Sequence, residues 1–121
     1  MTIRSSLKIK IQLCCGDEIA MGPGKADLLD AIMSVGSISG GARAMGLSYR
    51  RAWMLVDTMN RCWQVPLVAT IAGGGASHGT HVTPLGLKVL ATYRDLQIKA
   101  AAGSQPESMA LEQALLPRPH L

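Results

Sequence analysis

Gly46 stands between two short helical stretches, and no other residue constrains this 121-residue chain as much. On the N-terminal side, Ser37 is placed to cap a helix over Ile38 to Met45. That helix carries Gly40 and Gly41, each costing about 1 kcal/mol relative to Ala. A cost of that kind is offset when another helix packs closely on the bare backbone. Gly46 then breaks the helix, Leu47 returns to the core, and Ser48 caps a third helix running from Tyr49 to Trp63. Two helices joined by about three residues with a glycine in the turn form a helix-turn-helix. Ala42 and Gly46 are the small residues expected at their contact.

The flanking segments extend this unit. Leu7 to Leu13 alternates apolar and polar residues, the period of a half-buried strand, with Leu7, Ile9, Ile11 and Leu13 facing inward. Pro23 opens a first helix whose stripe is Leu28, Leu29, Ile32 and Val35, and Gly36 ends it. Beyond Pro66, Leu67 to Ile71 and Thr80 to Val82 read as the two strands of a hairpin with a glycine-rich tip. Thr83 and Pro84 start a fourth helix, reaching about Ala102 and lined by Leu85, Val89, Tyr93 and Leu96. From Gly103 the chain reads as a linker, with a short helical turn over Met109 to Leu116. The expected fold is mainly α with a small β-hairpin, a winged helix-turn-helix over residues 1–103, with a flexible C-terminal tail over residues 104–121.

Composition narrows the function. Aromatic residues are 3% of the chain, two Trp and two Tyr without Phe, too few to build a stacking surface for single-stranded nucleic acid. Twelve Lys and Arg against eight Asp and Glu leave a net charge of +4, which suits a polyanionic partner. Three Cys at positions 14, 15 and 62 make neither a disulfide framework nor a zinc framework. They fit free thiols in a reducing cytoplasm. No apolar run has the length of a membrane span, and the N-terminus lacks a signal-peptide pattern. The segment Gly22-Pro23-Gly24-Lys25 lacks the spacing of a phosphate-binding loop. His78 and His81 have no acidic or thiol neighbours to complete a metal site. No nucleophile elbow or Cys–His pair is present, so no enzyme activity and no cofactor are expected.

The third helix carries the chemistry. Ala52, Val56, Met59 and Trp63 make its inward stripe, with Trp53 beside them. Tyr49, Arg50, Arg51, Met54, Thr58 and Arg61 fall on the opposite side. A B-DNA major groove admits one α-helix, and an arginine at the helix start can bond guanine edges or phosphates. Ser37, Ser39, Ser48, Tyr49, Arg50, Arg51 and Met54 are therefore the candidate contacts to double-stranded DNA. Gly74, Gly75 and His78 of the hairpin tip join them, since glycines let backbone amides approach phosphates. The competing reading is a winged-helix protein-interaction module without DNA binding.

The run from Gly36 to Trp53, G-S-I-S-G-G-A-R-A-M-G-L-S-Y-R-R-A-W, resembles the DNA-binding domain of the molybdate-responsive regulators, the ModE family. Asp57-Thr58-Met59-Asn60, Gly73-Gly74-Gly75 and Val82-Thr83-Pro84-Leu85-Gly86 continue the resemblance, which covers about Leu7 to Leu96. It implies a homodimeric winged helix-turn-helix regulator of molybdate-uptake and molybdoenzyme genes. Ser48, Tyr49, Arg50 and Arg51 match the leading turn of that family's recognition helix. The family's molybdate site lies in a further β-barrel domain. Residues 97–121 lack the strand pattern for one, so molybdate is not expected to bind this chain.

Overall fold

The computed structural model describes residues 6–70 and 79–121. A first hairpin pairs β1 (Leu13–Cys15) with β2 (Glu18–Met21), antiparallel. Three helices follow: α1 (Pro23–Val35), α2 (Ile38–Ala44) and α3 (Tyr49–Arg61). The second hairpin pairs β3 (Val68–Thr70) with β4 (Thr80–Val82), Val68 opposite Val82. Two helices close the chain, α4 (Pro84–Gly103) and α5 (Gln105–Ala114). The winged helix-turn-helix expected from the sequence is the fold observed.

The local signals work as their chemistry requires. Ser37 Oγ accepts the Gly40 amide at 2.9 Å and Ser48 Oγ accepts the Arg51 amide at 3.0 Å. Thr83 Oγ1 accepts the Gly86 amide at 3.1 Å. Each hydroxyl satisfies one of the amides that a helix start leaves without a partner. Gly36 ends α1 at φ 84°, a left-handed turn that costs glycine nothing. The glycines of α2 also have their reason: a Cβ on Gly40 would overlap Val35 Cγ1, and one on Gly41 would crowd Ile32. The α1–α2 crossing is close because both positions lack a side chain.

One core unites the three-helix unit with the base of the wing. Leu28, Leu29 and Ile32 of α1 meet Ile38 and Ala42 of α2 and Ala52, Val56 and Met59 of α3, all buried. Met21, Leu67, Val68, Val82, Val89, Leu90 and Tyr93 complete it. Burying an aliphatic side chain of this size contributes about 1.5–3 kcal/mol. Arg94 ties α4 to α1 from outside, 2.8 Å from Asp27 and 2.6 Å from Asp30.

Four expectations are corrected. Residues 7–12 form no ladder, and Leu7, Ile9 and Leu13 are exposed. The segment is held instead from α4, whose Tyr93 hydroxyl donates to the Ile11 carbonyl at 2.8 Å. Alternation marks a strand only where a neighbour supplies a ladder, and the ladder with β2 reaches back only to Leu13, opposite Met21, because β2 ends there and the chain turns into α1 at Pro23. Next, α3 stops at Arg61, two residues short of Trp63, which turns to donate to the Ala20 carbonyl at 3.3 Å. Third, Val35, Trp53 and Leu96 lie on the surface, because their helices have only one packed side there. Last, residues 105–114 are helical: α5 starts at Gln105 with Pro106 in its first turn, and Ser104 alone separates it from α4. Ser108 of that helix is buried beside the N-terminal segment, where the Ser6 amide donates to Glu112 Oε1 at 3.0 Å.

Candidate nucleic-acid interface

The first turn of α3 stands clear of the core, with Tyr49, Arg50 and Arg51 all exposed. Successive residues step about 100° round a helix, so these three side chains leave in three directions. Tyr49 turns toward the wing. There it lines a cleft of about 430 Å³ with Ser37, Ile38, Ser39, Trp53, Thr70 and Thr80. Hydroxyl groups from α2, α3 and both wing strands thus converge on one side of the helix. Arg50 stands on the outward ridge, in line with Trp53, Met54 and Asp57 along a shallow trough. Arg51, about 200° from Tyr49, faces the opposite flank, where Lys10 and Lys25 also lie.

The structure therefore brings Ser37, Ser39 and Tyr49 together and sets Arg50 with Met54 one turn further along. Ser48 lies at the surface with its Oγ engaged in the cap. Gly74, Gly75 and His78 lie outside the described residues. So does the His78 half of the His78–His81 pair, and no metal-ligating cluster occurs among the described residues. Trp53 is the residue that sequence reasoning misplaced. It is 45% exposed and lies against both the wing-side cleft and the outward trough. Its offset from Ala52 and Val56 held the signal, since position 53 falls three residues after Arg50 on the outward ridge.

The wing is anchored to α3 by residues that periodicity does not single out. Asn60 Oδ1 accepts the Leu67 and Val68 amides at 3.0 and 3.1 Å, and its Nδ2 donates to the Val68 carbonyl at 3.0 Å. From the other side, Thr83 Oγ1 donates to the Pro66 carbonyl at 2.7 Å while its amide donates to the Leu67 carbonyl at 2.9 Å. The wing's return strand also reaches the α1–α2 turn, where the Thr80 amide donates to the Gly36 carbonyl at 3.2 Å. Helix α3 and the wing base are thus held in one relative position.

Known proteins bear out the resemblance. The chain is 41% identical over 80 residues to the molybdenum transport protein ModE of Azotobacter vinelandii, covering 66% of this chain and 30% of that one. It is 42% identical over 81 residues to the molybdenum-pterin-binding protein MopB of Rhodobacter capsulatus, covering 67% and 30%. It is 32% identical over 87 residues to the DNA-binding transcriptional dual regulator ModE of Escherichia coli (strain K12), covering 72% and 32%. The chain thus spans about a third of the length of the curated relatives it matches. No family model matches it. Among solved structures, a LysR-family transcriptional regulator superposes with a TM-score of 0.51 over 69% of this chain and 27% of its own, at 16% identity, a likeness of fold. No helix among the described residues is long and apolar enough to cross a membrane.

Proposed function

We propose that this chain, a homologue of the ModE regulators across its winged-helix segment, is a sequence-specific DNA-binding transcriptional regulator of molybdate-transport or molybdoenzyme genes. The observation that carries the reading is the exposed first turn of α3, with Arg50 and Arg51 at a capped helix start beside an anchored wing. In a major groove, Arg50 is suited to a paired bond with a guanine edge, and Met54 to apolar contact with a thymine methyl. Ser37, Ser39, Ser48 and Tyr49 suit phosphate contacts, which set register rather than sequence. Gly74, Gly75 and His78 are the wing residues we assign to the neighbouring backbone. Residues 1–103 are then the DNA-binding unit and 104–121 its tail, and work on DNA places the chain in the cytoplasm. We assign it neither catalysis nor a molybdate site.

Two copies would double the footprint and read an inverted repeat. An apolar cleft of about 300 Å³ supports a dimer, with Leu13, Trp63, Leu85, Val89 and Leu96 along it. Leu7, Ile9 and Ile98 are also exposed. Sedimentation at tens of micromolar should give the mass of two chains (roughly where weak dimers form).

The test begins with genomic fragments retained by the purified chain, sequenced to find an operator. Arg50→Ala with Arg51→Ala should then abolish operator binding in a gel shift while the circular dichroism spectrum is kept. Undiminished operator affinity in the double variant would refute the assignment. Retention of no fragment by the wild type would leave the interaction-module reading.

A further inference from the structure

We propose that the groove walled by Lys10, Lys25 and Arg51 seats a backbone phosphate of the DNA duplex, on the strand across the major groove from the wing. The proposal rests on α3 being the recognition helix. Three segments far apart in sequence supply its cations: the N-terminal arm, the start of α1 and the first turn of α3. They line a groove of about 390 Å³ together with Gly22, Gly24 and the apolar Met45, Leu47 and Leu55, and no carboxylate is among its lining residues. A Cβ placed on Gly24 would meet open space.

Arg61 and Arg94 are paired with acids, whereas Lys10, Lys25 and Arg51 make no ion pair among the described residues. Burial, and then repulsion from Arg51, hold the Lys25 ammonium below its ordinary pKa, against a weaker pull from Glu18 and Cys62. Gathering like charges costs stability unless an anion joins them, and a phosphate oxygen would relieve that repulsion. Position completes the argument. A helix in the major groove has one phosphate strand on each side of it, about 12 Å apart. Tyr49 and the hydroxyl-lined cleft meet one strand, and Arg51 on the opposite flank meets the other. The two flanks use different chemistry, neutral hydroxyls beside the wing and cations beside the arm.

The experiment compares Lys10→Gln with Lys25→Gln in the full chain, measured against the retrieved operator and a random duplex over a range of salt. The double variant should bind both duplexes about 3–10-fold more weakly, with a salt slope shallower by about 1 and an unchanged preference ratio. Arg50→Ala should instead reduce the preference ratio. Lys10→Gln alone, on an exposed extended segment, should give a smaller shift in the same direction even where Lys25→Gln fails to fold. Lys25→Arg should restore the slope. An unaltered affinity and slope in the Lys10 and Lys25 variants, with Arg50→Ala still impaired, would overturn the phosphate seat and leave the recognition helix standing. A wild-type chain that binds neither duplex overturns both.

Discussion

Asn60 grips the peptide group on each side of Val68. Its Nδ2 donates to the Val68 carbonyl at 3.0 Å, and its Oδ1 accepts the Val68 amide at 3.1 Å. The side chain therefore stands in for a neighbouring strand at the base of the wing. It translates the position of α3 directly into the position of β3.

Asn60→Ala should lower stability by about 2–3 kcal/mol, because two amides and a carbonyl lose their partner in a half-buried place. Asn60→Asp keeps the acceptor and loses the donor, so it should fall between wild type and Ala. Urea denaturation of the three proteins reads the order. Equal stability of Asn60→Ala and wild type would show that water replaces the side chain at no cost.

Two helical glycines should respond in opposite ways to alanine. A Cβ on Gly86 would fall inside the Leu67 carbonyl and against Val82, at the place where α4 presses on the wing. Gly86→Ala should cost about 1–3 kcal/mol through overpacking. Gly103 has nothing within 4 Å of its Cβ position, so Gly103→Ala should stabilise by about 0.5 kcal/mol through helix propensity and unfolded-state entropy. Thermal melts that gave both variants the same sign would contradict this packing of α4.

Thiol reactivity should rank the cysteines. Cys14 and Cys15 are exposed and Cys62 is half-buried. Burial first, and the hydrogen-bonding Cys15 thiol next, push the Cys62 thiol above its usual pKa. A raised pKa means less thiolate at any given pH, and the thiolate is the nucleophile. Brief iodoacetamide treatment at pH 8 should label Cys14 and Cys15 before Cys62, with the gap narrowing as pH rises and closing in denaturant. Mass spectrometry of tryptic peptides that found Cys62 labelled first would count against this arrangement.

The divide between what was legible in the sequence and what was not follows the reach of each interaction. Ser37, Ser48 and Thr83 each bond an amide three residues on, so both partners lie within one short run of letters. Gly36, Pro23 and Pro84 act through their own backbone angles. Caps, helix starts and the turn between α2 and α3 could therefore be read residue by residue, and with them the exposed basic turn at Arg50 and Arg51.

The alternation of Leu7 to Leu13 carried no such guarantee. Which side of an extended segment is buried depends on whether a partner strand is available, and here α4 holds the segment through Tyr93, 82 residues from Ile11. Trp53 lies one step from a buried stripe, and only the direction from which α1 and α2 approach α3 leaves it exposed. Cys15 and Cys62 look unrelated in the sequence until the first hairpin docks beside the end of α3. The cationic groove is a tertiary product in the same sense: Lys10, Lys25 and Arg51 share no periodicity, and folding alone brings their charges together. Local chemistry determined where the helices begin and end, while the docking of distant segments decided which side chains meet at the surface.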